Sequence, residues 1–195
     1  MRTRRLVLSL LVLGLTAPAA PSFAAAKPKP PKPVCNLLVD VEGDGTSKAI
    51  PVLSSPTLDI LSADVASTKT QFVGVLRLKS VNTANDTVAK LGIRWTMGFT
   101  VGGKSISFRR NINSSTATDS YTVAGATGDN KNLKVTLDPP TNSIKFVLLK
   151  SATSALKPKA VFTEIIAQTY GPGSNADGGA TTKTYLDQTP SCAKP

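Results

Sequence analysis

Apolar and polar residues alternate in the middle of the chain, over Leu91–Ile112, and the alternation is strict from Leu91 to Val101. From position 91 to 101 every odd-numbered residue is apolar, and every even-numbered residue is Gly, Arg or Thr. This period of two is typical of a β-strand with one buried face. Gly102-Gly103 suits a tight two-residue turn, because glycine tolerates positive φ. The segment therefore predicts a β-hairpin with the pairs Phe99–Ile106, Met97–Phe108, Ile93–Ile112, Thr100–Ser105 and Thr96–Arg109.

Shorter apolar runs bounded by turn residues predict further strands. The run Ala160–Tyr170 also fits a helical face, but its Val, Ile, Thr and Phe residues favour a strand. Gly171–Thr182 is rich in glycine and predicts a loop. The other predicted strands are Asn36–Val41 (with Leu37, Val39 and Val41 on one face), Leu58–Val65, Gln71–Val81, Tyr121–Ala126, the two runs Leu133–Leu137 and Ile144–Leu148 around the turn Asp138–Asn142, and Thr184–Leu186.

About eight or nine antiparallel strands with almost no helix indicate an all-β fold. We expect an antiparallel two-sheet β-sandwich, either jelly-roll or immunoglobulin-like. The chain has 195 residues, and about 160 of them, from residue 35 onward, suffice for one domain with a proper core.

The first 26 residues are typical of a signal peptide. Arg2, Arg4 and Arg5 precede the apolar run Leu6–Leu15, and a small-residue cleavage site follows at Ser22-Phe23-Ala24 or Ala24-Ala25-Ala26. Thr3-Arg4-Arg5 partly matches a twin-arginine signal, but the apolar run favours the Sec route. We expect a secreted, extracellular protein. No other stretch of the sequence is long and apolar enough for a membrane helix.

Residues 27–34 are rich in Lys and Pro, a composition that favours an extended polyproline II segment. This segment predicts a spacer or, alternatively, a cationic tether to an anionic cell-wall polymer. The net charge of the whole chain is +11. Six of the 23 basic residues precede Cys35, and the other 17 against 12 acidic residues leave about +5 for the domain. That charge is too small to predict a nucleic-acid interface. We also expect the protein to be a monomer.

The two cysteines, Cys35 and Cys192, bracket the predicted domain. In an oxidising compartment such a pair predicts a disulfide, which would bring the domain's ends together.

The chain contains no histidine. This excludes Ser-His-Asp and Cys-His catalysis and imidazole metal sites. No nucleophile elbow, phosphate loop or dinucleotide fingerprint is present. A serine–lysine dyad stays open, but no residue is singled out for it, so the sequence favours a protein that is not an enzyme.

Two kinds of surface could hold a ligand. Arg77, Lys79, Arg94 and Arg109 share the polar phase of their strands, and on one sheet face they would attract an anionic glycan or wall polymer; alternatively they form a solvated face. The only tryptophan, Trp95, lies in the apolar phase and is expected in the core, with Arg110 opposite it. The tyrosines available for sugar stacking are Tyr121, Tyr170 and Tyr185.

The stretch DVEGDG resembles the start of a calcium loop. Asp40, Glu42 and Asp44 occupy its first, third and fifth positions, and glycine occupies the sixth. Position twelve is Pro51 instead of a bidentate glutamate, so the stretch is not an EF-hand. A β-sandwich can complete such a loop with Asp59 or Asp64 from the next strand. The alternative is an acidic turn without metal.

A cysteine-led first strand, the stretch D-x-x-G-D (Asp40, Gly43, Asp44), LDILSADVAS (Leu58–Ser67) and FVGVLRLKSV together resemble exported actinobacterial β-sandwich domains. These domains are similar to DOMON-like domains and family 9 carbohydrate-binding modules. The resemblance covers Cys35 to Tyr170 and implies a sandwich that binds instead of catalysing. We expect a secreted binding or structural module, stabilised by Ca²⁺. The alternatives are a carbohydrate- or cell-wall-polymer-binding module and, less favoured, a secreted hydrolase.

Overall fold

The computed structural model describes residues 36–47, 52–113, 116–153, 161–172 and 174–181. All of them belong to one compact unit, Lys32–Pro195. The predicted signal peptide, the Lys/Pro-rich linker, both cysteines and the predicted strand Thr184–Leu186 lie outside the described residues.

The described residues form thirteen strands, one short α-helix and three short 3-10 helices. Nine strands have six or more residues, in agreement with the eight or nine predicted. In chain order the elements are β1 (Leu38–Val39), β2 (Thr46–Ser47), β3 (Leu53–Ser54), β4 (Ile60–Ser67), β5 (Gln71–Leu78), α1 (Thr87–Lys90), β6 (Ile93–Val101), β7 (Lys104–Asn113), β8 (Thr116–Val123), β9 (Ala126–Thr127), β10 (Leu133–Asp138), β11 (Ser143–Leu149), β12 (Phe162–Gly171) and β13 (Ser174–Thr181).

Two antiparallel sheets contain nearly all of these strands. The five-stranded sheet has the order β1-β4-β5-β11-β10, and the six-stranded sheet has the order β13-β12-β6-β7-β8-β9. Strands β2 and β3 form a separate two-stranded ribbon. The prediction of an all-β, antiparallel two-sheet sandwich is confirmed.

The predicted central hairpin is confirmed pair by pair. Strands β6 and β7 align Phe99 with Ile106, Met97 with Phe108 and Ile93 with Ile112. Gly102 and Gly103 both have positive φ, at 56° and 73°, as a turn that matches strand twist requires. From Phe162 onward the ambiguous run forms β12, as its β-branched and aromatic residues predicted.

The core lies between the two sheets and is rich in aromatic residues. Trp95 is fully buried, and its indole Nε1–H donates to the Thr57 carbonyl over 2.8 Å. Phe99 packs edge-on against Phe162 and Phe108. Gly74 allows the sheets to approach closely, because a Cβ there would lie 2.8 Å from the Met97 sulfur. These contacts fix which face of each sheet points outward.

Two details of the strand prediction are wrong. The glycine-rich segment after Gly171 contains an edge strand, β13, which pairs with β12; glycines show no side-chain alternation, so backbone pairing at a sheet edge escapes pattern analysis. At the N-terminus Leu37 and Leu38 are buried, whereas Val39 and Val41 are about 70% exposed. Strand β1 is only two residues long, so the predicted alternation of buried and exposed side chains does not continue through Asn36–Val41.

Candidate functional site

The acidic loop DVEGDG lies directly against the start of β4. Asp40 N–H donates to the Leu61 carbonyl over 3.2 Å, and Gly43 N–H donates to Asp59 Oδ2 over 2.8 Å. Gly45 is buried, and a Cβ there would come within 2.5 Å of the Asp59 backbone. Glycine at the sixth loop position thus serves close packing of two backbone segments.

Three carboxylates converge beside this loop. Each of Asp40, Asp44 and Asp177 offers an oxygen that lies within 4.8 Å of the oxygens of the other two. Asp177 comes from edge strand β13, opposite Thr169. Its Oδ2 accepts a hydrogen bond from Ile60 N–H over 2.7 Å, which holds the side chain at the start of β4.

The cluster contains a buried oxygen without a protein donor. Asp40 Oδ1 accepts from Val41 N–H over 3.0 Å, but Asp40 Oδ2 is buried and has no hydrogen-bond partner among the described residues. Like charges at 4.8 Å repel by about 1–3 kcal/mol per pair, depending on the local dielectric constant. A bound cation would remove this repulsion and supply the missing partner.

Asp59 lies next to the cluster, behind the loop. It is 3% exposed, and its Oδ1 is buried without a hydrogen-bond partner among the described residues. Burial raises the pKa of Asp59, and the nearby Asp44 and Glu42 raise it further, whereas the Gly43 N–H and Lys79 lower it. The Lys79 ammonium lies 4.0 Å from Asp59 Oδ2.

The two other acidic residues predicted for the site are not brought into the cluster. Glu42 points to solvent, with its side chain 63% exposed, and forms an ion pair with Lys79 at 3.2 Å. Asp64 is buried and binds Arg77 at 2.6 Å and Leu37 N–H at 3.1 Å. Of the predicted metal ligands, Asp40 and Asp44 meet, and Asp59 lies behind them.

Sequence reasoning missed Asp177 as the third member of the cluster. The residue lies 133 positions after Asp44 in a segment that predicted a loop. An aspartate flanked by Ala and Gly in a short polar stretch is the only local signal, and it does not specify a partner.

The four predicted basic residues do not form one face. Arg77 is on β5 and Lys79 follows it, in the five-stranded sheet, whereas Arg94 and Arg109 belong to β6 and β7 in the six-stranded sheet. Strands β5 and β6 are consecutive long strands, but they belong to different layers. The prediction of a single cationic face including all four is therefore wrong, and only Arg94 and Arg109 share a surface.

The aromatic candidates have different surroundings. Arg110 does stand opposite Trp95, as predicted, but its guanidinium forms an ion pair with Asp119 at 3.0 Å. Tyr121 is 2% exposed. Tyr170 is half-buried on the outer face, with the Arg94 guanidinium 3.7 Å above its ring centre. Tyr185 lies outside the described residues.

The chain matches no protein-family model, no curated protein and no solved structure. The resemblance to DOMON-like domains and family 9 carbohydrate-binding modules therefore stays a prediction. Within the part of the chain that the structure describes, no helix has the length and apolar character needed to cross a membrane.

Proposed function

We propose that this protein is an exported, non-catalytic binding or structural module whose acidic loop binds a structural Ca²⁺ ion. The observation that carries the calcium proposal is the convergence of Asp40, Asp44 and Asp177, in which the buried Oδ2 of Asp40 has no donor among the described residues. Export is supported by the signal-like N-terminus, and the absence of catalysis by a sequence without histidine.

Calcium suits these ligands because it takes six to eight oxygen atoms, often from carboxylates, in a flexible geometry. Asp40, Asp44 and Asp177 would hold the ion; Asp59 is outside this group of three, and its buried Oδ1 also has no donor among the described residues. Bound Ca²⁺ would supply positive charge where these carboxylates repel one another. It would also join the N-terminal loop to edge strand β13.

Thermal unfolding in calcium and in chelator tests this proposal. A site occupied at a hundred times its dissociation constant adds about 2.7 kcal/mol to the free energy of unfolding. For a domain of about 160 residues that raises the Tm by about 5–11 °C. No rise in Tm at millimolar calcium would contradict the proposal.

Single substitutions separate a metal site from a general effect of salt. In calcium, Asp44→Asn and Asp177→Asn should lose the rise in Tm, whereas Glu164→Gln, which changes an exposed carboxylate on β12, should keep it. In chelator the order of stability of Asp44→Asn and the parent protein should be the reverse of the order in calcium. Removing one of three mutually repelling charges should then leave Asp44→Asn as stable as the parent protein or more so. An acidic turn without metal would show no such inversion.

A further inference from the structure

A second polar site lies at one end of the six-stranded sheet, apart from the acidic loop. A cleft of about 580 Å³ opens where β6 begins and β12 ends. Among the residues that line it are Leu91, Gly92, Arg94, Asn111, Asn113 and Tyr170.

Three of these side chains form a row across the sheet. Tyr170 on β12 stands opposite Arg94 on β6, which stands opposite Asn111 on β7. They alternate with the buried Ile93 and Trp95, so the row faces outward. The central carbon of the Arg94 guanidinium lies over the Tyr170 ring, 3.7 Å from its centre. This cation–π contact holds the guanidinium in position at the wall of the cleft, which Arg94 lines.

Arg94 carries a charge that no described carboxylate balances. Among the described residues its buried Nε has no hydrogen-bond partner, and no Asp or Glu lies within 4.0 Å of its guanidinium. Arg110 also has a buried Nε without a partner there, but its guanidinium binds Asp119 at 3.0 Å, and Arg77 binds Asp64 at 2.6 Å, so the missing carboxylate is what distinguishes Arg94. Keeping a partly buried guanidinium without an anion is costly, which indicates that an external anion completes this site.

The surface beside the cleft suits a hydroxylated chain that carries more than one anion. Arg109 lies opposite Thr96, one row along the sheet from Arg94, and is exposed. Diagonal neighbours of this kind have Cα atoms about 7–8 Å apart. A second depression of about 180 Å³ on the same face is lined by Thr96, Ser105, Ser107 and Gln168, among others. Glu164 also lines this depression and accepts a hydrogen bond from Thr100 over 2.7 Å. It lies near the start of β12, at the opposite end of the strand from Tyr170.

We propose that this face binds an acidic glycan, with the carboxylate of a hexuronate residue on Arg94. Asn111 and Asn113 then bind neighbouring hydroxyl groups, and Arg109 meets the next anion along the chain. A planar guanidinium fork matches a carboxylate through two parallel hydrogen bonds, and the amides both donate and accept. This inference rests on the proposed binding function and gives it a ligand class, but it does not require the calcium site.

Calorimetric titration of the purified protein with oligogalacturonate tests the site. The same oligosaccharide with its carboxylates methyl-esterified, and polyglycerol phosphate, are the comparison ligands. We expect binding of oligogalacturonate, at least tenfold weaker binding of the esterified chain, and no cleavage of either. Preference for polyglycerol phosphate, or equal binding of the neutral chain, would overturn the assignment of a carboxylate. Cleavage of the oligosaccharide would overturn the non-catalytic function instead.

Variants connect the binding to Arg94. Arg94→Gln and Arg94→Lys should each weaken binding tenfold or more, because lysine keeps the charge but loses the planar fork and the ring contact. Lys134→Gln removes one exposed charge from β10, in the other sheet, and should change affinity less than twofold. Equal losses in Arg94→Gln and Lys134→Gln would reveal only general charge attraction and overturn the site. The thermal midpoint of each variant, measured in parallel with and without calcium, shows that it is folded and keeps a failure here distinct from a failure of the calcium proposal.

Discussion

Replacing Gly45 with alanine tests the packing that holds the acidic loop in place. Gly45 does not have positive φ, so its backbone conformation is open to any residue. The obstacle is contact: a Cβ at this position would lie 2.5 Å from both the Cα and the nitrogen of Asp59, and 2.7 Å from the Leu58 carbonyl carbon. All three atoms belong to the backbone at the start of β4, which a rotamer change cannot move.

The size of the effect follows from these distances. Ordinary Cβ contacts begin at 3.4 Å, so the loop would have to retreat by about 1 Å. Overpacking of this kind costs about 1–3 kcal/mol, and rigid backbone on one side favours the upper end. Alanine also restricts the unfolded chain, which offsets about 0.4–1 kcal/mol. The net loss should be about 2–2.6 kcal/mol, or about 4–10 °C in Tm.

Circular dichroism melting in chelator measures this loss without any contribution from metal. The matched control is Gly98→Ala, at another glycine without positive φ, where the new Cβ would lie 3.3 Å from the Ile106 carbonyl oxygen. That variant should stay within about 1 kcal/mol of the parent protein. Gly45→Ala should also lose the stabilisation by calcium, because the retreating loop carries Asp44 away from Asp177. A Gly45→Ala protein that melts with the parent would refute the close contact and the loop position built on it.

Two further predictions concern Asp86 and Asp59, whose pKa values are shifted in opposite directions. Asp86 caps helix α1 and also accepts hydrogen bonds from the hydroxyls of Ser55 and Thr57; burial opposes its charge, but the hydrogen bonds outweigh this and lower its pKa. Asp86→Ala should therefore cost about 2 kcal/mol near neutral pH, and urea unfolding should show this difference vanishing as the pH falls through the lowered pKa. For Asp59 the pKa is raised, so in chelator the folded protein holds a proton more tightly than the unfolded chain does, and stability should fall as the pH rises above 3.8. The difference in unfolding free energy between the parent and Asp59→Asn should decline over that range, and a difference independent of pH would contradict the burial of this carboxylate.

Local patterns were sufficient to predict the central hairpin and the fold class. In β6 each side chain's environment depends on its phase, so alternation from Ile93 to Val101 fixed both the buried face and the register once the Gly102-Gly103 turn was placed. For β10 and β11 the pattern predicted two strands around the turn at 138–142, and the structure pairs them. These pairings join neighbouring segments, where a turn of known length decides which residues meet.

The candidate site could be predicted only in part, because its members come from distant segments. Asp40 and Asp44 belong to one loop and were found together. Asp177 meets them through the pairing of β12 with β13, and that pairing depends on backbone hydrogen bonds in a stretch whose glycines carry no pattern. Arg77 and Arg94 illustrate the opposite error: both occupy outward phases of consecutive long strands, but phase alone does not reveal which layer a strand joins.

The position of Asp177 also indicates why a metal would be useful in this sandwich. Strand β13 lies at an edge of the six-stranded sheet and contains two consecutive glycines, Gly178 and Gly179, which lose more conformational entropy on ordering than other residues. An exposed edge strand is also a template for unwanted pairing with other chains. Two contacts already tie this hairpin to the start of β4: Asp177 accepts from Ile60 N–H, and the Thr169 hydroxyl donates to the Leu58 carbonyl. A cation shared by Asp177 and the acidic loop would add a third contact at the same point. It would offset the conformational entropy that the glycines lose on folding, and would keep the edge strand packed against the five-stranded sheet.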